Sequence, residues 1–189
     1  VLLDAAKPIR GIAQARSELR PHGHGDFSEA IQTTDRFPKE VEADVALPSG
    51  TVRLTAQAKG AGMISPAFAT MLCFVQTDAA LSAETADLLL GVCVARSFDR
   101  VSVDGQLSTN DTVIFQASGA SGVRIEPQTE DEVRFGEALD WALRKLALDM
   151  VRDGEGAKRI GRVVVSGGSE DAVVRAARAV ANSPLVKAA

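Results

Sequence analysis

From Val41 to Leu47 apolar residues occupy every second position, and after Pro48-Ser49-Gly50 the alternation resumes at Val52, Leu54 and Ala56. Side chains on a strand point to opposite faces in turn, so this pattern demands a ribbon with one buried face. The Pro-Ser-Gly turn reverses the chain, and residues 41–58 read as a hairpin. A lone hairpin is barely stable in water, so the remaining elements must cover it.

The covering elements are legible. Ile9, Ile12, Ala13, Ala15 and Leu19 follow Pro8 at helical spacing. Ser82 is placed to cap a helix with apolar residues through Leu88, Leu89, Val92 and Phe98. Thr129 and Glu132 form a capping box for the longest helix, about 130–152, with a stripe of Val133, Leu139, Ala142, Leu146 and Met150. Gly154-Glu155-Gly156 ends it, and Ser169 caps a last helix to about residue 182. Further strands are expected at 70–76, buried on both faces, at Val101–Val103, at Val113–Ala117 and at Val163–Val165. Strands alternating with helices predict an α/β fold, a layered sandwich with mixed sheets. A Gly-flanked boundary near residue 159 divides a domain over 1–158 from the start of a second over 159–189.

Hydrophobic residues make up 46% of the 189, enough for a large core, but aromatics only 4%, so that core is aliphatic. The net charge of −4 gives no general attraction to nucleic acid or anionic membrane, although residues 158–189 are basic. Cys73 and Cys93 sit in apolar runs and read as buried free thiols. No apolar stretch reaches spanning length and no signal peptide opens the chain, which points to a cytoplasmic protein. His22-Gly23-His24-Gly25 reads as a solvated loop; two histidines without a Cys or carboxylate cluster do not make a metal site.

The chemistry lies in Lys59-Gly60-Ala61-Gly62-Met63-Ile64-Ser65-Pro66-Ala67-Phe68-Ala69-Thr70-Met71-Leu72. A small residue and a threonine stand between a glycine-rich turn and an apolar run. That suits a threonine that attacks the peptide bond before it. Were Ala69–Thr70 cut, Thr70 would become a new N-terminus, and its α-amine, titrating near about 7.7–8.0, would serve as base for its hydroxyl. The plain alternative is a buried threonine where a turn meets a strand.

This segment resembles the autocleavage motif of the bifunctional ornithine acetyltransferase family, the glutamate N-acetyltransferases of arginine biosynthesis. Ala30-Ile31-Gln32-Thr33-Thr34-Asp35 with Lys39, Ser108-Thr109-Asn110-Asp111-Thr112 and Leu185-Val186-Lys187 are similar to the same family, in its order. The resemblance spans the chain and implies an N-terminal-nucleophile-like autoprocessing enzyme. Thr70 would be the nucleophile for cleavage at Ala69/Thr70 and for acetyl transfer from N-acetylornithine to glutamate, with ornithine released. Thr34, Lys59 and Glu155 would bind substrate alongside Thr70. Without the resemblance, Thr33, Thr34 and Asp35 make an Asx-type turn, Lys59 is an exposed loop lysine and Glu155 a solvated acid. Ser108 to Asp111 read as an internal turn that orients the nucleophile indirectly.

The resemblance also implies cleaved α and β chains associating as a heterotetramer of two α and two β. No cofactor is expected. Some relatives take acetyl-CoA as donor, but no phosphate-cradling glycine loop is present here. The family supplies its oxyanion donors from a Thr-Gly segment upstream of Val1 and further substrate contacts beyond Ala189, so the chain reads as an internal portion of a longer one. Ala67-Phe68 stand where many relatives have Asn and Met. Two other classes compete: an N-terminal-nucleophile aminopeptidase or amidase, and a non-catalytic scaffold.

Overall fold

A computed structural model describes residues 4–20, 23–64, 71–106 and 108–189. The hairpin forms as its alternation requires. β1 (Lys39–Leu47) and β2 (Gly50–Lys59) are antiparallel, with Leu47 opposite Gly50 at the turn, where Gly50 adopts φ 148°. β3 (Leu72–Thr77) pairs antiparallel with β2, and β4 (Thr112–Ala117) pairs parallel with β3. The result is one four-stranded mixed sheet in the order β1-β2-β3-β4. The α/β class expected from the sequence is the one observed.

The helices are α1 (Ala6–Ser17), α2 (His24–Ala30), α3 (Ala83–Arg96), α4 (Glu130–Arg152), α5 (Glu170–Ala181) and α6 (Pro184–Ala188). The Ser82 hydroxyl caps α3 by accepting from Thr85 N, and Thr129 caps α4 by accepting from Glu132 N. Glu132 completes the box one residue early, accepting from Gln128 N at 2.6 Å rather than from Thr129 N.

The core lies between α4 and one face of the sheet. Val41, Val52, Leu54, Ala56, Cys73 and Val75 meet Phe135, Leu139, Ala142, Leu143, Leu146 and Met150, with Leu89, Leu90 and Cys93 of α3 filling the side. Phe115 packs edge-on against Phe135, centroids 6.3 Å apart. Burying a Leu or Phe contributes roughly 1.5–3 kcal/mol, so this stripe is the main stabilising feature. Val133, placed in the stripe by spacing, is instead 58% exposed. Both cysteines are free and buried, and burial pushes their thiols up, Cys73 to about 12 and Cys93 to about 11. They are packing residues, not nucleophiles.

Several expectations are corrected. Of the loop expected at 22–25, His22 lies outside the described residues and Gly23 is a turn, but His24 and Gly25 are helical; His24 opens α2, with its Nε2 3.8 Å from Glu42. β3 is fully buried on one face only. Cys73, Val75 and Thr77 are buried, while Leu72, Phe74 and Gln76 are half-buried, with Phe27 of α2 edge-on to Phe74 at 5.2 Å. Val101–Val103 is no strand. Asp104 there accepts from Met63 N, Ile64 N and Gln106 N, and with Gly105 at φ 73° these bonds wrap the backbone into bends. Val163–Val165 makes no ladder and Val164 is 74% exposed. A β-rich triplet cannot hold strand geometry without a neighbour to pair with. Residues 159–189 touch the rest through a polar seam: Arg100 with Glu170, Ser102 with Asn182, and Lys187 with the Val103 carbonyl. Among the described residues no helix is long and apolar enough to cross a membrane.

Candidate functional site

Three segments far apart in sequence are tied together at one end of the sheet. The tie begins with Lys39, the first residue of β1, whose side chain falls on the α4 face by strand alternation and is 1% exposed. A buried ammonium needs compensation. Asp35 and Asp153 supply it, each with an oxygen 2.6 Å from Nζ.

Asp35 does more than balance charge. The oxygen that meets Lys39 also accepts from Gly60 N at 2.7 Å, and its other oxygen accepts from Thr33 N at 3.1 Å. An Asx turn would have Asp35 accept from an amide two residues ahead, so the turn expected at 33–35 does not form; the carboxylate reaches across to the glycine-rich turn instead. Asp153, at the C-cap of α4, accepts from Arg36 N at 3.0 Å and from Arg36 Nε at 2.8 Å. Burial raises both carboxyls, but the bonds from Lys39 and the neighbouring amides outweigh it. Asp35 and Asp153 are therefore held below the ordinary carboxylate value.

This network brings the segments of three expected binding residues together. Thr34 precedes Asp35 and is exposed. Lys59 precedes Gly60. Glu155 follows Asp153 by two residues, and its backbone N–H donates to the Ala61 carbonyl at 2.9 Å. The Glu155 side chain lies over the turn: a Cβ placed on Gly62 would come within 3.0 Å of its Cδ. Glycine at 62 thus makes room for the carboxylate.

Lys59 is not the exposed loop lysine of the plain alternative. It is 8% exposed, at the end of β2, on the face away from α4. Among the described residues nothing forms a hydrogen bond or ion pair with its ammonium. Lysines are rarely this buried without a partner, and this one has none among the described residues. The β2–β3 register sets Lys59 opposite Leu72, two residues past Thr70. Ala69 and Thr70 themselves lie outside the described residues.

The loop 101–112 borders the same place. Asn110 N donates to Ser108 Oγ, the internal turn that was expected, while Asp111 turns outward to accept from Met71 N at 2.8 Å. Burial raises the Asp111 carboxyl despite bonds from Met71 N and Ser108. Sequence reasoning had no role for Asp153 or Asp104, and noted Asp35 only within a motif. The partners through which they join separate segments lie 25 to 117 residues away, beyond any local pattern.

The sequence model of the ArgJ family matches residues 1–189. The chain belongs to the ArgJ family. It is 52% identical over 172 residues to the arginine biosynthesis bifunctional protein ArgJ of Nitratidesulfovibrio vulgaris, covering 90% of this chain and 43% of that protein. It is 45% identical over 165 residues to the glutamate N-acetyltransferase of Methanocaldococcus jannaschii, covering 86% of this chain and 40% of that one. A crystal structure of the Bacillus halodurans ArgJ protein matches at 38% identity with a TM-score of 0.44, over 46% of this chain and 41% of that one. The chain thus spans less than half the length of these ArgJ relatives.

Proposed function

We propose that the chain is the nucleophile-bearing portion of an autoprocessing glutamate N-acetyltransferase. The observation that carries the reading is the nearly buried Lys59, without a partner among the described residues, beside a turn that Asp35 and Glu155 hold in place. An amino-acid substrate brings a carboxylate for Lys59 and an amine for Glu155, with Thr34 adding a hydroxyl.

The Thr70 hydroxyl attacks the Ala69 carbonyl. A C–O bond forms, the C–N bond breaks, and the nitrogen takes the hydroxyl proton, leaving an ester and a free α-amine. Water then hydrolyses the ester. In turnover the α-amine takes the hydroxyl proton as oxygen attacks the acetyl carbon of N-acetylornithine. Ornithine leaves with that proton, and the α-amine of glutamate takes the acetyl group from the threonyl ester, a ping-pong scheme. Acetyl-CoA is a second donor to test. The cleaved pieces stay together, in a heterotetramer of two α and two β chains, and residues 159–189 open a second domain. With this role goes a cytoplasmic location.

The test is intact-mass measurement with N-terminal sequencing of the full-length protein, followed by assay of labelled N-acetylornithine with glutamate. Scission before Thr70 and label on glutamate are expected, and Thr70→Ala should abolish both. Label released as acetate in the presence of glutamate would make the protein an amidase. An uncut, inactive protein would make it a scaffold.

A further inference from the structure

We infer that loop 101–112 is a two-point clamp for the cleavage segment, with Asp104 gripping the acyl side and Asp111 the nucleophile side; this rests on the reading of Thr70 given above. The two grips have the same chemistry. Upstream of the junction, Asp104 accepts from Met63 N at 2.6 Å and from Ile64 N at 3.1 Å, one amide on each oxygen, while Val103 N donates to the Ile64 carbonyl at 2.7 Å. Downstream, Asp111 accepts from Met71 N at 2.8 Å and Thr112 N donates to the Met71 carbonyl at 3.0 Å. On each side an aspartate holds the N–H and the backbone beside it holds the C=O. The two aspartates are seven residues apart in one loop.

Two observations raise this above an ordinary loop contact. Met63 adopts φ 54°, a left-handed conformation that costs a bulky residue energy and persists only where its surroundings impose it. The amide that Asp104 holds is that of Met63. Met71 is 5% exposed and follows Thr70 directly in the chain, so its N–H and C=O are the first backbone groups past the junction and both are held. The grip is continuous with the sheet, because Leu72 and Thr112 are the first parallel pair of β3 and β4. A displaced reacting group of about 1 Å can lower a rate by about 100-fold, which is the scale on which such anchoring matters.

The two grips predict different kinetics. Scission needs both flanks in register. Acetyl transfer, after scission, takes its nucleophile from the downstream side alone and needs the upstream side only for substrate binding. Asp111→Ala should slow scission at least tenfold and lower the kcat of transfer, normalised to cut protein, with KM for N-acetylornithine little changed. Asp111→Asn keeps an oxygen acceptor for Met71 N and should restore both to within a few fold of wild type. Asp104→Ala should slow scission more than it slows transfer. All variants are made in the full-length protein, with melting temperature followed in parallel. Should Asp111→Ala fail to fold, the Asp104→Ala ratio of scission to transfer carries the test. Equal loss of both rates in Asp104→Ala, or Asp111→Asn no better than a folded Asp111→Ala, would overturn the clamp. Wild-type protein that neither cuts nor transfers would instead overturn the reading of Thr70 beneath it.

Discussion

The Lys39 ammonium lies 2.6 Å from a carboxylate oxygen of Asp153, 114 residues away in the chain, with both side chains fully buried. The contact joins the start of β1 to the C-cap of α4. Removing Lys39 leaves buried Asp35 without its cation and buried Asp153 with Arg36 alone. Lys39→Met should therefore cost about 3–5 kcal/mol, the usual penalty for breaking a buried pair from one side. Urea unfolding checks it, with a lowered midpoint at unchanged slope. A wild-type midpoint would mean that water replaces the ammonium.

Acid should loosen the same network. Asp35 and Asp153 are held below the ordinary value of 3.8 by Lys39 and nearby amides, against burial. Their folded values lie below the unfolded ones, so their contribution is whole above about pH 3.9 and is lost as pH falls through the folded values. Asp111 works oppositely. Burial raises its carboxyl, so its contribution is complete below the unfolded value and is lost as pH rises through the folded one. Urea midpoints should fall below pH about 4 in wild type and fall less in Lys39→Met. Parallel acid limbs would remove Lys39 as the cause.

Lys59 should matter to ligand and little to fold. Lys59→Met keeps most of the apolar stem but not the charge, and should change stability by less than about 1 kcal/mol. The KM for glutamate or N-acetylornithine should rise at least tenfold, about 1.4 kcal/mol of binding, while scission survives. Loss of scission would make Lys59 a support of the turn instead.

Gly62 tests the placement of Glu155. A methyl at 62 would meet the carboxylate oxygens at 3.2 and 3.3 Å. Glu155 is exposed, so it can swing aside at small cost in stability. Gly62→Ala and Glu155→Ala should each weaken amino-acid binding, and the double variant should be little worse than either alone, as contacting positions are. Additive effects in the KM cycle would place Glu155 outside the pocket.

The parts of the fold that were legible are those with local causes. Thr129 capping and a four-turn apolar stripe define α4 wherever it packs, and alternation defines the hairpin. Val101–Val103 and Val163–Val165 failed because a strand is made by its neighbours: the first triplet bends to serve Asp104, and the second has no partner strand among the described residues. For the site, Thr34, Lys59 and Glu155 came from the family resemblance, while Asp153 and Asp104 did not and Asp35 entered only as the end of a motif. Asp153 reads as a helix-ending acid and Asp104 as half of an Asp-Gly turn; in each case the function resides in an amide or ammonium many residues distant.

The pairing of β2 with β3 decides what backbone scission could accomplish. β1 and β2 precede position 70 and β3 and β4 follow it, with six ladder pairs from Leu54–Thr77 to Lys59–Leu72 between the halves. Neither half owns a complete sheet, and both bury their apolar face under α4. Hydrolysis would thus sever a covalent link without freeing either product: two bands on a denaturing gel, one sedimenting particle, and a freshly made terminus that stays where it was cut.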